Sequence, residues 1–315
     1  MAIADLWLNR EVQEGSRKAI VAAFAANCGI AVAKFVGFAF TGSAGMLAEA
    51  VHSVADTGNQ ALLLVGSKRA ARPATTEHPF GFGRERYFWS FVVALVLFSL
   101  GGAFAIYEGV DKLRHPHSPD GFWWAIGVLA IAVALESYSF ATAVREANRE
   151  RGHQSWVRFL QGAKSPELPV VLLEDSGALV GLALALVGVV LAEVTGNPRF
   201  DAIGSLSIGI LLCVIAAFLA IEMKGLLIGE SASVDMVERA AHVLRNAPDV
   251  RRLIHLRTEH LGPDELLVGA KLEFDSTLTF VQLAAAIDVV EERLRAEVPE
   301  ARVIYIEPDV HRDAP

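Results

Sequence analysis

Cysteine is nearly absent. The 315 residues contain two, Cys28 and Cys213, in separate apolar stretches and with no CxxC partner. A disulfide framework is thereby excluded, and both read as small core residues. An excess of basic residues is absent too. With 28 Lys and Arg against 36 Asp and Glu the formal charge is −8, which argues against a nucleic-acid surface. No HExxH, nucleotide loop or nucleophile constellation is present, so neither an enzyme nor a prosthetic group is expected. The opening MAIADLWLNREVQEGSRK is too polar for a signal-peptide core, so the first membrane helix is expected to direct insertion itself. Low-complexity tracts are missing.

Apolar residues are plentiful. They make up 53% of the chain, with a mean hydropathy of +0.41, which points to the membrane class. Six segments are long enough to cross a bilayer: 18–41, 44–67, 87–112, 121–145, 168–194 and 200–226. Tyr87, Phe88, Trp89, Trp123 and Trp124 mark span ends, where aromatic rings favour the headgroup zone. Thirteen Lys and Arg fall in the N-terminal segment and the loops after the second and fourth spans; Lys112, Arg114 and Arg199 fall on the other side. That asymmetry predicts both termini in the cytoplasm.

The expected organisation is an N-terminal cytoplasmic segment over 1–17, an all-α polytopic membrane domain of six transmembrane helices over 18–228, and a small cytoplasmic α+β domain over 229–315. In that tail a helix is predicted over 233–246, N-capped by Ser233. Strands near 252–260 and 266–274 flank the turn residues LGPDE. A helix over 279–297 and a last strand at RVIYIEP complete an αββαβ order, a ferredoxin-like sheet with helices on one side.

The second span holds a contradiction. Residues 49–60, EAVHSVADTGNQ, carry Glu49, His52, Asp56, Asn59 and Gln60, which fall within about 100° of one another on a helix. His52 and Asp56 are one turn apart, a spacing at which an imidazole nitrogen and a carboxylate oxygen reach one divalent cation. An ionised Asp at mid-membrane costs roughly 2.5–3.5 kcal/mol, which a bound cation or a proton offsets. Protons and metal compete for the same lone pairs. His52 is expected to set the working pH range, because its reference pKa of about 6.5 lies nearest neutrality. A pH–flux midpoint that stays put in His52→Asp would refute this.

The fifth span carries Glu174 and Asp175 in VVLLEDSGALVG, about 100° apart, followed by small residues that permit close helix approach. A close pair of second and fifth spans brings Asp175 toward His52 and Asp56. In the fourth span, Glu136 has two readings: a part of the same polar interior, or a counter-charge for Lys34 in the first span.

HSVAD in the second span and HPFGFGRERYFW before the third resemble signatures of the cation diffusion facilitator family. VVLLEDSGALVG, LESYSF and TGNPRFDAIGSLSIG look most like its branch containing zinc transporter nine of eukaryotes, and the resemblance covers essentially the whole chain. It implies a homodimeric exporter of divalent transition metals, most often zinc, exchanged against protons in a bacterial inner or plasma membrane. It also implies His52, Asp56 and Asp175 as ligands. The fourth family position falls on Val171, which cannot ligate, leaving Glu174, Glu49, Glu136, Asn59 or water to complete the shell. An oxygen-rich shell admits Mn²⁺, Co²⁺ or Fe²⁺ beside Zn²⁺. Coupling to Na⁺ and a non-transporting regulatory role are the alternatives. The family's loop site keeps His78 but has Phe82 at its second position. His78 is expected to be a packing or turn residue, and His115 and His117 to be surface residues. His242, His255, His260 and His311 lack ligand spacing, so the tail is expected to serve dimerisation rather than metal binding.

Overall fold

The protein is described by a computed structural model covering residues 24–25, 27–36, 39, 44–116 and 122–311, with 44–52, 124 and 125 described in backbone only. The segment predicted over 1–17, the start of the first span and His117 lie outside the described residues. The chain divides into two compact units. One comprises residues up to Lys68 together with Phe88–Met223; the other comprises Arg69–Tyr87 and everything from Lys224 onward.

The first unit is helical. α1 is described over Asn27–Val36, and α2 runs over Ala44–Ala70, rich in Ala and Leu and free of proline. α3 (Glu85–Val96), a π-helical stretch (Leu97–Ala103) and α4 (Phe104–Arg114) form one continuous 30-residue span. α5 (Phe122–Arg151), the short α6 (Trp156–Gly162), α7 (Glu167–Thr195) and α8 (Arg199–Ile228) follow. Four of these helical runs are long and apolar enough to cross a membrane: Glu85–Arg114, Ile126–Arg151, Glu167–Thr195 and Arg199–Ile228.

Local chemistry sets the ends of α7. Pro169 sits in its first turn, where no backbone N–H is needed. Gly196 closes it in the left-handed region at φ 66°. The π-helical span packs directly on α8. A Cβ at Gly102 would lie 2.5 Å from Cys213 Sγ, and one at Gly209 would lie 2.7 Å from the Ile106 amide nitrogen. The two helices therefore meet backbone to backbone, as small residues permit in membranes. An apolar core gathers Leu63 of α2, Val93 of α3, Ala143 of α5, Val170 and Leu172 of α7, and Leu219 of α8.

The second unit is an α+β domain with a three-stranded sheet. α9 (Val234–Arg245) opens at Ser233, whose side chain accepts from the Met236 amide at 3.3 Å. β1 (Val250–Gly262) and β2 (Glu265–Phe274) form an antiparallel hairpin, and β3 (Ala301–Pro308) lies parallel to β2, giving the order β1-β2-β3. α10 (Phe280–Glu297) is the crossover that a parallel pairing requires, and Thr279 and Gln282 cap it reciprocally. Leu266, Val268, Ala270, Leu272 and Phe274 alternate along β2 with half-buried residues and meet Leu244, Val290 and Leu294 of the helices in one core.

Arg69–Tyr87, the connection between α2 and α3, belongs to this second unit. Arg84 pairs with Glu259, Arg86 Nη1 lies 3.1 Å from Asp264 Oδ2, and a Cβ at Gly83 would come within 2.7 Å of the Leu261 carbonyl. The connection is thus held against the β1–β2 hairpin.

Several expectations change. The third span carries a π-helical stretch, the fourth extends to Arg151, and α6 was not foreseen. β1 is longer than 252–260 because its backbone pairing continues to Gly262 beside Pro263 and Asp264 of the turn. Tyr87, expected at the headgroup zone, is fully buried in the second unit, whereas Phe88 beside it is half exposed.

Candidate metal site

α2 turns its polar residues inward. Asp56, Asn59 and Gln60 are all buried, while Val54 and Val65 on the other side are 49% and 38% exposed. This inversion of the usual pattern of soluble helices follows from the i, i+3, i+4 spacing and from a surrounding that is itself apolar. Glu49 and His52 lie on the same helix, and their side chains are outside the described residues. Lys34 of α1 is buried too and donates to Ser53 Oγ at 2.8 Å.

α7 presents Glu174 and Asp175, both buried, in divergent directions. Asn59 Nδ2 donates to Glu174 Oε1 at 2.9 Å. Ser139 Oγ of α5 donates to Asp175 Oδ2 at 2.9 Å. The first bond ties α7 to α2 and the second ties it to α5. The charge of Asp56 reaches both Glu174 and Asp175, and Glu136 lies within electrostatic reach of Glu174. Asp56, Glu174 and Asp175 are buried, and Glu136 of α5 is half-buried.

Three oxygens in this region, Asn59 Oδ1, Gln60 Oε1 and Glu174 Oε2, are buried and meet no hydrogen-bond donor among the described residues. Each unsatisfied buried acceptor costs about 1–3 kcal/mol, and native folds carry few of them. All three are acceptors, so what they lack is a donor or a cation.

The carboxylates do not close on one point. Among the described residues, no three His, Cys, Asp or Glu side chains converge as an ion cage. Val171, at the position where the resemblance implies a ligand, is part of the apolar core with Val170 and Leu172. Glu174 faces Asn59, and Asp175 faces Ser139, as their 100° separation on a helix demands. Sequence reasoning passed over Ser139 and Ser53. Ser139 stands three residues after Glu136 on α5, and that spacing was the available signal.

The remaining histidines lie elsewhere. His78 stacks edge-on to Phe82 at 4.6 Å, its backbone bonds to Thr75 close a turn, and Arg72 covers the Phe82 ring. His260 is buried in β1 with Nδ1 3.3 Å from the Gly262 carbonyl. His115 Nδ1 lies 3.1 Å from Asp111 Oδ1 at the end of α4.

Comparison with known proteins adds the following. Residues 20–228 match the family model described as the cation efflux transmembrane domain, and residues 232–309 match the cation efflux protein cytoplasmic domain. The chain is similar to the proton-coupled zinc antiporter SLC30A9, mitochondrial, of Homo sapiens, with 31% identity over 292 residues, covering 91% of this chain and 51% of that protein. Metal tolerance protein C4 of Arabidopsis thaliana is 30% identical over 265 residues, covering 84% of this chain and 58% of that protein. The magnetosome protein MamB of Paramagnetospirillum magneticum is 25% identical over 287 residues, covering 90% of each. The chain spans about half the length of the first two relatives.

Proposed function

This chain belongs to the cation efflux family of divalent-cation transporters, and on that premise we propose that it exports a divalent metal, zinc first, in exchange for protons. The observation that carries the reading is the shared burial of Asp56, Glu174 and Asp175 on two helices of a membrane domain, within electrostatic range of one another. Isolated, such carboxylates are costly in a dehydrated interior; a divalent cation or protons offset that cost. The two cannot both occupy the same oxygens, and that competition is the coupling.

In this reading His52, Asp56 and Asp175 hold the cargo and Glu174 adds a further oxygen donor from α7. Ser139 orients Asp175. The membrane domain has six spans, both termini face the cytoplasm, and the ferredoxin-like tail pairs two copies of the chain. The Lys and Arg asymmetry supports the orientation. The description of the tail's own relatives as a cytoplasmic domain supports its side of the membrane. The name of SLC30A9 as a proton-coupled zinc antiporter supports the cargo and the counter-ion.

A second reading keeps the site and changes the metal. Val171 removes one ligand and leaves an oxygen-rich set, which suits Mn²⁺, Fe²⁺ or Co²⁺ better than a site with two imidazoles would. Flux into reconstituted vesicles across a panel of metals, with and without a pH gradient, separates the readings. Wild type is expected to move Zn²⁺ only with an opposing proton gradient, and Asp175→Ala is expected to abolish uptake. Uptake that survives Asp56→Ala would remove the site.

A further inference from the structure

We propose that Asn59 Oδ1 and Glu174 Oε2 form an oxygen-donor pair that contacts the transported cation, and that Asn59 thereby sets the preference among divalent metals. The inference rests on the reading that this polar interior binds the cargo.

Asn59 is fully buried, and its Nδ2 is committed to Glu174 Oε1 at 2.9 Å. Toward an ionised Glu174 that bond fixes the amide, because an ionised carboxylate only accepts and so meets the NH₂ end. Oδ1 is then left as an acceptor, and so is Glu174 Oε2. Neither meets a donor among the described residues. A pair whose only task was to join α2 to α7 would be complete with its one bond and would have no reason to bury two further acceptors. The surroundings supply more negative charge rather than donors: Asp56, Asp175 and Glu136 all lie within electrostatic reach of Glu174. A cation satisfies such a set, and an additional hydrogen-bond acceptor does not.

Placement supports the assignment. Asn59 follows Asp56 by three residues and shares its helix face, one turn nearer the end at which α2 leaves the membrane domain. Glu174 and Asp175 point apart, so Glu174 serves the Asn59 side while Asp175 serves the Ser139 side. A carboxamide and a carboxylate oxygen are hard donors. They favour Mn²⁺ and similar ions over Zn²⁺ more than an imidazole does. The balance between His52 and Asn59 then decides which metal the interior prefers.

The test uses the purified full chain and measures equilibrium binding of Mn²⁺ and of Zn²⁺ separately. Asn59→Ala is expected to weaken Mn²⁺ by about tenfold or more, the loss of a hard donor in a buried site, with Zn²⁺ changed less than about threefold. Asn59→Asp, which keeps an oxygen there, is expected to retain Mn²⁺ binding. Equal shifts for both metals in Asn59→Ala, or no shift in either, overturn the proposal and reduce Asn59 to a helix-joining amide or a partner of bound water. So does Asn59→Asp losing Mn²⁺ to the same extent as Asn59→Ala. A measurement independent of any variant is anomalous scattering at the manganese edge from wild-type crystals soaked in Mn²⁺. Density beside Asn59 and Glu174 is expected, and density confined elsewhere refutes the pair. Asp56→Ala serves as the control for the underlying reading. Loss of binding there with Asn59→Ala unchanged sinks this inference alone, whereas unchanged binding in both sinks the site itself.

Discussion

Ser139 of α5 donates a 2.9 Å hydrogen bond to Asp175 of α7, so the carboxylate that the sequence singles out is oriented by a neighbouring helix rather than by its own. A hydrogen bond to a charged group contributes about 1.5–3 kcal/mol. Ser139→Ala is therefore expected to weaken metal binding on the order of tenfold, with Ser139→Thr largely restoring it. Isothermal titration of purified protein reads this directly, and equal affinities for the three proteins would refute the role.

Asp56 is the one described carboxylate of α2 whose charge acts on both acids of α7. Asp56→Asn keeps its shape and removes its charge. Under the proposed function vesicle flux is expected to fall below about 1% of wild type, since losing a charged oxygen donor to the cargo would cost several kcal/mol in a dehydrated site. Residual flux near the wild-type level would place the cargo elsewhere.

Gly102 and Gly209 bring the π-helical span and α8 into backbone contact. Gly102→Leu forces a side chain into Cys213 and the Gly209 carbonyl. Overpacking of this kind costs about 1–3 kcal/mol or more, so the thermal midpoint of the detergent-purified protein is expected to drop by several degrees. An unchanged midpoint would mean that the two helices separate easily.

In the tail, Asp275 is held at about 2, chiefly by the Thr277 hydroxyl at 2.7 Å, then by the Thr277 amide at 2.8 Å and by Arg251 at 3.1 Å. The unfolded chain titrates this group near 3.9. The folded value is lower, so its stabilisation is complete above about pH 4 and is lost as pH falls toward 2. Carboxyl NMR shifts should show Asp275 titrating well below an ordinary aspartate, and in Thr277→Ala its midpoint should move upward. A midpoint unmoved by that substitution would assign the shift to another cause.

The pairing of Arg84 with Glu259, and of Arg86 with Asp264, predicts that the connection between α2 and α3 is protected. Glu259→Lys is expected to speed chymotryptic cleavage after Phe80 and Phe82 by about two- to fivefold, the worth of a partly exposed ion pair. Combining it with Arg84→Glu should restore the slower rate. Identical cleavage in all three proteins would show the ion pair to be idle.

The polar face of α2 was legible because a helix repeats every 3.6 residues, and Asp56, Asn59 and Gln60 follow that repeat into the interior. Ser233 was legible as a cap for the same kind of reason: capping is a local exchange between a hydroxyl and an amide three residues on. The Ser139–Asp175 and Asn59–Glu174 bonds were not, because they depend on how three helices are rotated about their axes. No rule of spacing within one helix contains that rotation. The π-helical stretch was equally hidden, since LFSLGGA reads as ordinary apolar helix. The close approach of Gly83 to the hairpin backbone was hidden as well, because it joins segments far apart in the sequence.

That contact has a mechanical side. The peptide that leaves α2 is gripped by the same hairpin whose strand β1 also hydrogen-bonds, through the His260 amide, to Glu230 just after α8. A single strand end therefore holds two separate leashes. A twist of that strand would move both connecting peptides together rather than one at a time.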